Sequence, residues 1–257
     1  MIIDTHAHYD DEQFDVDREM LLDSVSLADN NISAIVNASA SMRGCRATLD
    51  LVSRFERVYG MLGVHPEDVY NLTDDDYNWI RNNSSNPKIV AIGEIGLDYY
   101  YEENPPRDVQ IEHFRRFINL AKDVKLPINV HSREATKDTL DIIREENAQE
   151  VGGIIHCFSS GPEIALEYTK MGFYIGIGGV VTFKNGRKLK EVVDACPLER
   201  LVLETDCPYL APTPHRGERN SSYYIPLIVT AIAGIKGISE EEVLRVTEEN
   251  AGKVYGI

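Results

Sequence analysis

The chain has 257 residues, a length that suits one large domain and is common among α/β barrels. Hydrophobic residues make up 43% of the sequence, enough for a full core, and no apolar run reaches the roughly 18 residues that a membrane span requires. The formal net charge of −16 argues against a protein that coats nucleic acid, but it does not exclude a nuclease whose bound cations reverse the local charge.

Short apolar segments rich in β-branched residues alternate along the chain with longer segments of helical periodicity. This alternation is typical of β-α units and a parallel sheet. We predict eight strands, at Ile2–Thr5, Ser33–Asn37, Val58–Gly63, Ile89–Glu94, Pro127–Val130, Gly153–His156, Phe173–Ile177 and Leu201–Glu204. Eight such units without a linker-like stretch predict an α/β fold, a (βα)8 TIM barrel that forms a single domain over residues 1–257.

Two of the connecting segments begin with helix-capping signals, Thr73 followed by Asp76 and Ser239 followed by Glu242. His113 lies in another helical segment beside charged neighbours, and we predict that it is exposed to solvent. The four cysteines are scattered without a CxxC pair, and the N-terminus lacks a signal-peptide pattern. We therefore expect reduced thiols and a cytoplasmic protein that needs no membrane.

The first predicted strand ends in two histidines separated by one residue, His6 and His8. Side chains alternate between the two faces of a strand, so these two imidazoles project from the same side. Two imidazoles placed this way are half of a metal site.

Further strands end in residues that bind metals, namely Glu94, His131, His156 and Asp206. The carboxyl ends of barrel strands converge on one face, which is where active sites of this fold lie. Six nitrogen and oxygen donors exceed what one catalytic zinc takes from protein, so we predict two divalent cations that share a bridging carboxylate. Histidines suit zinc or manganese, and carboxylates also admit magnesium.

Five motifs resemble those of TatD-related metal-dependent deoxyribonucleases, and together they span nearly the whole chain. They are Asp4–His8, Gly93–Asp98, Pro127–Ala135, Ile155–Ser159 and Leu203–Pro208. The resemblance implies a TIM barrel of the amidohydrolase-like superfamily, a two-cation site and hydrolysis of phosphodiester bonds in DNA. It also implies that one cation is held by His6, His8, Glu94 and Asp206, and the other by Glu94, His131 and His156.

Two positions depart from the pattern of that family. Tyr9 stands where an aliphatic residue usually follows the second histidine, and Ser221–Ser222 replace the Glu-Pro that commonly follows an asparagine, here Asn220. Because that loop is expected to border the mouth of the barrel, these departures bear on substrate preference.

Residues near the predicted strand ends are candidates for substrate binding. Arg133 is expected to bind a phosphate, which its guanidinium matches in a bidentate fork, or else to form a surface salt bridge. His65 is expected either to contact a phosphate or to hydrogen-bond within its own loop. Lys184 and Arg216 are expected near the mouth. Glu204 faces the same side as Asp206 by strand alternation. We predict that it contacts a metal-binding residue and orients it without binding the metal itself.

The predicted reaction is metal-assisted hydrolysis of DNA. Among the activities that the family resemblance implies, we favour that of an exonuclease. The cations activate a water, Asp206 accepts its proton as general base, and Glu94 bridges the metals. A metal-dependent amidase or esterase, or a D-aminoacyl-tRNA deacylase, is the alternative enzyme. Many amidases of the superfamily bridge their metals with a carboxylated lysine on strand four, where this chain has Glu94. A barrel that binds metal or nucleotide without turnover is the non-enzymatic alternative. The sequence leaves the oligomeric state open and is compatible with a monomer.

Overall fold

Eight parallel strands form one sheet in the computed structural model, which describes residues 1–257, and each strand pairs with the next along the chain. The strands are β1 (Ile2–Ala7), β2 (Ile32–Ala38), β3 (Val58–Leu62), β4 (Ile89–Asp98), β5 (Ile128–Arg133), β6 (Gly153–Ile155), β7 (Tyr174–Ile177) and β8 (Leu201–Leu203). The two edges of the sheet approach each other where Thr5 Oγ1 donates a hydrogen bond to the carbonyl of Leu203 at 2.9 Å. The sheet is therefore a nearly closed barrel, as the sequence predicts.

Helices connect the strands and surround the barrel. They are α1 (Arg18–Leu21), α2 (Ser24–Asp29), α3 (Met42–Arg54), α4 (Asp74–Asn83), α5 (Arg107–Val124), α6 (Thr136–Glu145), α7 (Pro162–Lys170), α8 (Arg187–Ala195), α9 (Ile225–Lys236) and α10 (Glu240–Tyr255). Both predicted caps are confirmed, because the side chains of Thr73 and Ser239 accept hydrogen bonds from the backbone of α4 and α10. No helix by itself has the length and apolar character to cross a membrane, although the bent pair Ser222–Lys236 and Glu240–Tyr255 meets both criteria jointly.

The core has two layers that follow from strand alternation. Outward-facing strand residues such as Ile35 and Ile92 pack against the helices, whereas Val36, Met61 and Val202 fill the barrel interior. Tyr255 of α10 joins this inner cluster. The barrel interior is thus a packed core, and the space for chemistry lies at one end of it.

Strand β4 extends further than the sequence predicts, to Asp98 instead of Glu94. Its pairing with β5 shifts register between Ile92 and Ile95, and the added residues pair with the end of β5. Gly96 permits this close approach, because a Cβ at this position would lie 2.0 Å from the carbonyl oxygen of His131. Strands β6 and β8 end one residue earlier than predicted, at Ile155 and Leu203.

The prediction that His113 is exposed is wrong. Its side chain is buried on α5, and its Nδ1 lies 2.6 Å from the hydroxyl of Tyr77 on α4. His113 shares a helical face with Gln110, Phe114 and Phe117, which are also buried. Charged sequence neighbours such as those beside His113 point to other faces of a helix, so they are a poor guide to burial.

Candidate metal centre

Two histidine rings at the end of β1 lie with their Nε2 atoms 3.1 Å apart, those of His6 and His8. The Nδ1 of His6 lies 2.9 Å from the amide oxygen of Asn129, and the Nδ1 of His8 lies 2.9 Å from the carbonyl oxygen of Ala38. Because both partners are acceptors, each Nδ1 carries the ring proton. In the neutral rings that bind a cation, the lone pairs of the two Nε2 atoms consequently face each other.

The Glu94 side chain occupies the centre of the site. Its Oε1 lies 2.6 Å from Nε2 of His156 and 2.9 Å from Nδ1 of His131. Its Oε2 lies 3.5 Å from Nε2 of His6 and 3.7 Å from Nε2 of His8. Burial alone would raise the pKa of this carboxyl, but the surrounding histidines hold it well below its usual range. Glu94 is therefore an ionised carboxylate with one oxygen directed at each pair of histidines.

Asp206 approaches the same site from the segment that follows β8. Its Oδ1 lies 3.3 Å from Nε2 of His8 and 3.7 Å from Nε2 of His6. Its backbone N–H donates to the carbonyl of His6 at 3.0 Å. This second hydrogen bond between the β1 and β8 edges of the barrel therefore positions the Asp206 carboxylate beside His6 and His8.

These donor atoms fit a bound cation. Nitrogen lone pairs and ionised oxygens repel one another at such distances unless a positive charge lies between them. The pKa of His8 shows the same need for positive charge: burial lowers it, but Asp206 and Glu94 raise it to about 10, so that without a cation a second proton on the ring balances these carboxylates. In addition, the buried Nδ1 of His156 has no hydrogen-bond partner, while its Nε2 points at Glu94.

The donors divide into overlapping groups in which the candidate ligand atoms lie within 4.8 Å of one another. One group contains His6, His8 and Glu94, and another contains Glu94, His131 and His156. Asp206 forms a further group with His6 and His156. Imidazole nitrogens and carboxylate oxygens in these numbers suit divalent zinc, manganese or magnesium. The structure thus brings all six predicted ligands together.

Two buried residues that the sequence analysis did not select contact these ligands. Asn129 Oδ1 accepts the Nδ1 proton of His6, and Asp98 Oδ2 lies 3.1 Å from Nε2 of His131. Strand alternation carried a signal for Asn129, which precedes His131 by two residues and shares its face. Asp98 is the last residue of the Gly93–Asp98 motif, but strand alternation was not applied to it, because β4 was expected to end at Glu94.

A cavity of about 610 Å³ opens above the ligands. Arg133 and His65 both line this cavity, and their contact with substrate stays a prediction. Lys184 and Arg216 do not line it. The guanidinium of Arg216 instead lies 3.6 Å from the ring centroid of Phe183.

Glu204 is fully buried next to the metal centre. Its Oε1 accepts a hydrogen bond of 2.6 Å from the backbone N–H of Cys157, the residue after His156, and its Oε2 has no partner. Burial raises the pKa of this carboxyl well above its usual range. A role for Glu204 in orienting a ligand stays a prediction, and these contacts imply that it would act through the backbone beside His156.

The two departures from the family pattern lie beneath the mouth of the barrel and do not border it. The Tyr9 hydroxyl donates to Ser222 Oγ at 3.0 Å and lies 3.2 Å from Ser221 Oγ. Ser222 Oγ donates in turn to Asp4 Oδ2 at 2.6 Å. The tyrosine hydroxyl needs polar partners when it is buried, so the two departures form one hydrogen-bonded unit.

The sequence matches one protein family over almost its entire length, since residues 3–256 correspond to the family described as TatD related DNase. The chain belongs to this family. YabD of Bacillus subtilis strain 168, an uncharacterized metal-dependent hydrolase, is 42% identical over 257 residues that cover all of both chains. YcfH of Escherichia coli strain K12, described in the same words, is 34% identical over 261 positions, which cover all of this chain and 96% of YcfH.

Solved structures of TatD-family proteins have the same fold. The structure of YjjV, a TatD homologue from Escherichia coli K12, superimposes with a TM-score of 0.93 at 25% identity, covering all of this chain and 98% of YjjV. A TatD-family hydrolase from Entamoeba histolytica superimposes with a TM-score of 0.87 at 22% identity, covering 99% of this chain and 97% of the other. The protein is therefore a metal-dependent hydrolase of the TatD family with a TIM-barrel fold.

Proposed function

We propose that this TatD-family hydrolase cleaves phosphodiester bonds in DNA, using two divalent cations held at the metal centre. The observation that carries the proposal is the position of Glu94 between two sets of cation ligands, on the wall of a cavity that also contains the free guanidinium of Arg133. Cation sites beside a guanidinium provide the charges that a phosphodiester requires.

The Arg133 guanidinium is held at the cavity wall by aromatic rings. Its central carbon lies 3.8 Å from the ring centroid of Tyr100 and 4.9 Å from that of Tyr101. No carboxylate lies within ion-pair distance of it, although the chain carries a net charge of −16. Cation–π contacts leave the N–H groups of a guanidinium available, so Arg133 can bind a phosphate oxygen.

His65 can provide a second hydrogen bond to the phosphate. The backbone N–H of Glu67 donates to His65 Nδ1, so the ring proton is on Nε2, which lies 3.7 Å from Glu94 Oε1. Burial and the nearby His131 lower the pKa of His65 to about 3, which keeps the ring neutral. A neutral ring with its proton on Nε2 donates one hydrogen bond towards the cavity.

The residues of the chain divide the work of hydrolysis. Bound cations would supply Lewis acidity to a phosphoryl oxygen and make a nearby water easier to deprotonate. The Asp206 carboxylate takes the proton of the attacking water as the water oxygen bonds to phosphorus, while the bond from phosphorus to the leaving deoxyribose oxygen breaks and that oxygen takes a proton from solvent. Arg133 and His65 hold the non-bridging oxygens of the phosphate. Glu94 contributes one carboxylate oxygen to each of the two sets of cation ligands.

The experiment compares substrate classes on protein reconstituted with Mn²⁺ or Mg²⁺. Labelled single- and double-stranded DNA and bis(p-nitrophenyl) phosphate represent phosphodiesters, whereas a p-nitroanilide and a D-aminoacyl ester represent the alternative enzymes. We expect the phosphodiesters to have the highest kcat/KM and a chelator to abolish their cleavage. A higher kcat/KM for the amide or the aminoacyl ester would contradict the proposal, and bound metal without any turnover would identify a binding protein.

The substitution Arg133→Met tests the phosphate contact in the same assay. We expect it to raise KM for DNA by about tenfold or more, because a charge-assisted hydrogen bond to phosphate is lost. Arg187→Met is the matched control, since Arg187 is an exposed residue of α8 that pairs with Glu191. Equal KM values for the Arg133→Met and Arg187→Met proteins would remove Arg133 from the substrate site.

A further inference from the structure

Asp98 is a buried carboxylate that is held rigidly at the end of β4. The side chain of Gln110 from α5 anchors its backbone, accepting the Asp98 N–H at 2.8 Å and donating to the Asp98 carbonyl at 2.9 Å. The residue is 1% exposed. Its carboxylate oxygens are therefore fixed in position relative to their neighbours.

The two oxygens of Asp98 have different partners. The Oδ1 atom accepts the backbone N–H of Tyr100 at 2.9 Å, and the Oδ2 atom lies 3.1 Å from Nε2 of His131. On the opposite side of the same ring, Nδ1 of His131 lies 2.9 Å from Glu94 Oε1 and 3.3 Å from His156 Nε2. His131 can therefore bind a cation through Nδ1 only if its ring proton is on Nε2.

We propose that Asp98 is a positioning residue that holds the ring proton of His131 on Nε2 and so presents Nδ1 to the cation shared with Glu94 and His156. Ligating histidines commonly donate their second N–H to a carboxylate, which sets the tautomer and the orientation of the ring. This inference rests on the proposed binding of a cation by these three ligands.

His65, Asp98 and His131 also lie close enough together to suggest a separate cation site. Hydrogen bonding accounts for this cluster instead. The Nδ1 of His65 accepts the Glu67 N–H, and both Asp98 oxygens have hydrogen-bond partners. With its proton on Nε2, His131 offers no lone pair on that side. We therefore expect two cations per chain and none in this cluster.

The substitution Asp98→Asn should reverse the tautomer of His131. The Tyr100 N–H needs an acceptor, so the amide oxygen of the asparagine turns towards Tyr100 and its NH2 group turns towards His131. An NH2 group can only donate, which requires a lone pair on Nε2 and moves the ring proton to Nδ1. The protonated Nδ1 then faces Glu94 and cannot bind the cation.

Two measurements test this inference, a spectrum of the Zn²⁺-loaded protein and a Zn²⁺ titration of the metal-free protein. Long-range ¹H–¹⁵N spectra, with His131 assigned by its loss in His131→Gln, should show the proton on Nε2 in the unsubstituted protein and on Nδ1 in Asp98→Asn. Calorimetric titration with Zn²⁺ should show one of two sites weakened about 10- to 100-fold in Asp98→Asn. Asp68→Asn is the control, because it removes a charge from the cavity wall without contacting a ligand.

Several results would overturn the role of Asp98. These are a proton on Nδ1 of His131 in the unsubstituted protein, a third zinc per chain, or equal zinc affinity in Asp98→Asn and Asp68→Asn. The spectrum of the unsubstituted protein decides the matter even if Asp98→Asn fails to fold. Absence of DNA cleavage together with the expected tautomer and two bound zinc ions would reject only the proposed function.

Discussion

At the scale of single residues, the metal centre depends on which nitrogen of each histidine carries the proton. Asn129 and the carbonyl of Ala38 hold the protons of His6 and His8 on Nδ1, which leaves both Nε2 atoms free. The four predicted histidine ligands, His6, His8, His131 and His156, converge on the carboxylate of Glu94, which is 3% exposed. Glu94 is thus the residue on which both proposed cation sites depend.

The substitution Glu94→Gln tests this dependence. It preserves the size of the side chain and removes its charge, so bound metal should fall below two cations per chain and turnover should drop to background. Metal content by mass spectrometry and turnover of a phosphodiester measure both effects. Glu103→Gln, in an exposed loop, is the control for loss of one negative charge. Retention of two cations and near-normal turnover in Glu94→Gln would refute the bridging role.

Asp206 allows the proton-transfer step to be tested separately from binding. Asp206→Asn keeps a ligand oxygen but removes the ability to accept a proton, so kcat should fall by about a hundredfold to ten-thousandfold while KM changes far less. Metal occupancy is measured in the same samples, because a lost cation would produce the same loss of rate. If Asp206→Asn retains both cations and works within about threefold of the normal rate, another group accepts the proton.

At the scale of elements, a buried network joins the start of the chain to the segment between β8 and α9. Asp4 of β1 accepts hydrogen bonds from Thr205 Oγ1 at 2.7 Å and from Ser222 Oγ at 2.6 Å, and Tyr9 donates to the same serine. This network lies directly behind His6 and Asp206. The unusual residues at positions 9, 221 and 222 therefore help to position two ligand-bearing segments.

A double-mutant cycle on Tyr9→Phe and Ser222→Ala measures the strength of this network. Each single substitution should lower the free energy of unfolding by about 1–3 kcal/mol, because it removes a hydrogen bond from buried polar groups. The double substitution should lower the free energy of unfolding by less than the sum of the two single effects, because both single substitutions remove the same hydrogen bond. We expect this difference, the coupling energy, to be about 0.5–3 kcal/mol. Denaturant unfolding measures all four proteins, and strict additivity would show that the two side chains do not interact.

At the scale of the whole molecule, the ligands come from β1, β4, β5 and the segments directly after β1, β6 and β8, whereas the core beneath them is apolar. The site therefore requires the folded barrel, and we expect the barrel to stay folded without bound metal. Burial of hydrophobic residues on both faces of the sheet supplies the stability of the fold.

Removal of metal tests this separation. A chelator should abolish hydrolysis while the far-UV circular dichroism spectrum stays close to that of the loaded protein, and added Mn²⁺ or Zn²⁺ should restore activity. Activity and dichroism are recorded on the same samples. Loss of helical signal on chelation would show that the cations are structural, contrary to the catalytic interpretation.

The sequence by itself determined the barrel and its six candidate ligands, because strand periodicity and strand-end residues are local patterns. The fold and the family are confirmed, and the structure brings the ligands together. Tertiary structure decided the rest. The pairing of β4 with β5 beyond Glu94 places Asp98 behind His131, and contact between α4 and α5 buries His113. The hydrogen bonds of Tyr9 reach residues more than two hundred positions away. Tautomers, burial and bridging geometry depend on atoms that the fold brings from distant parts of the chain, so no local pattern contains them.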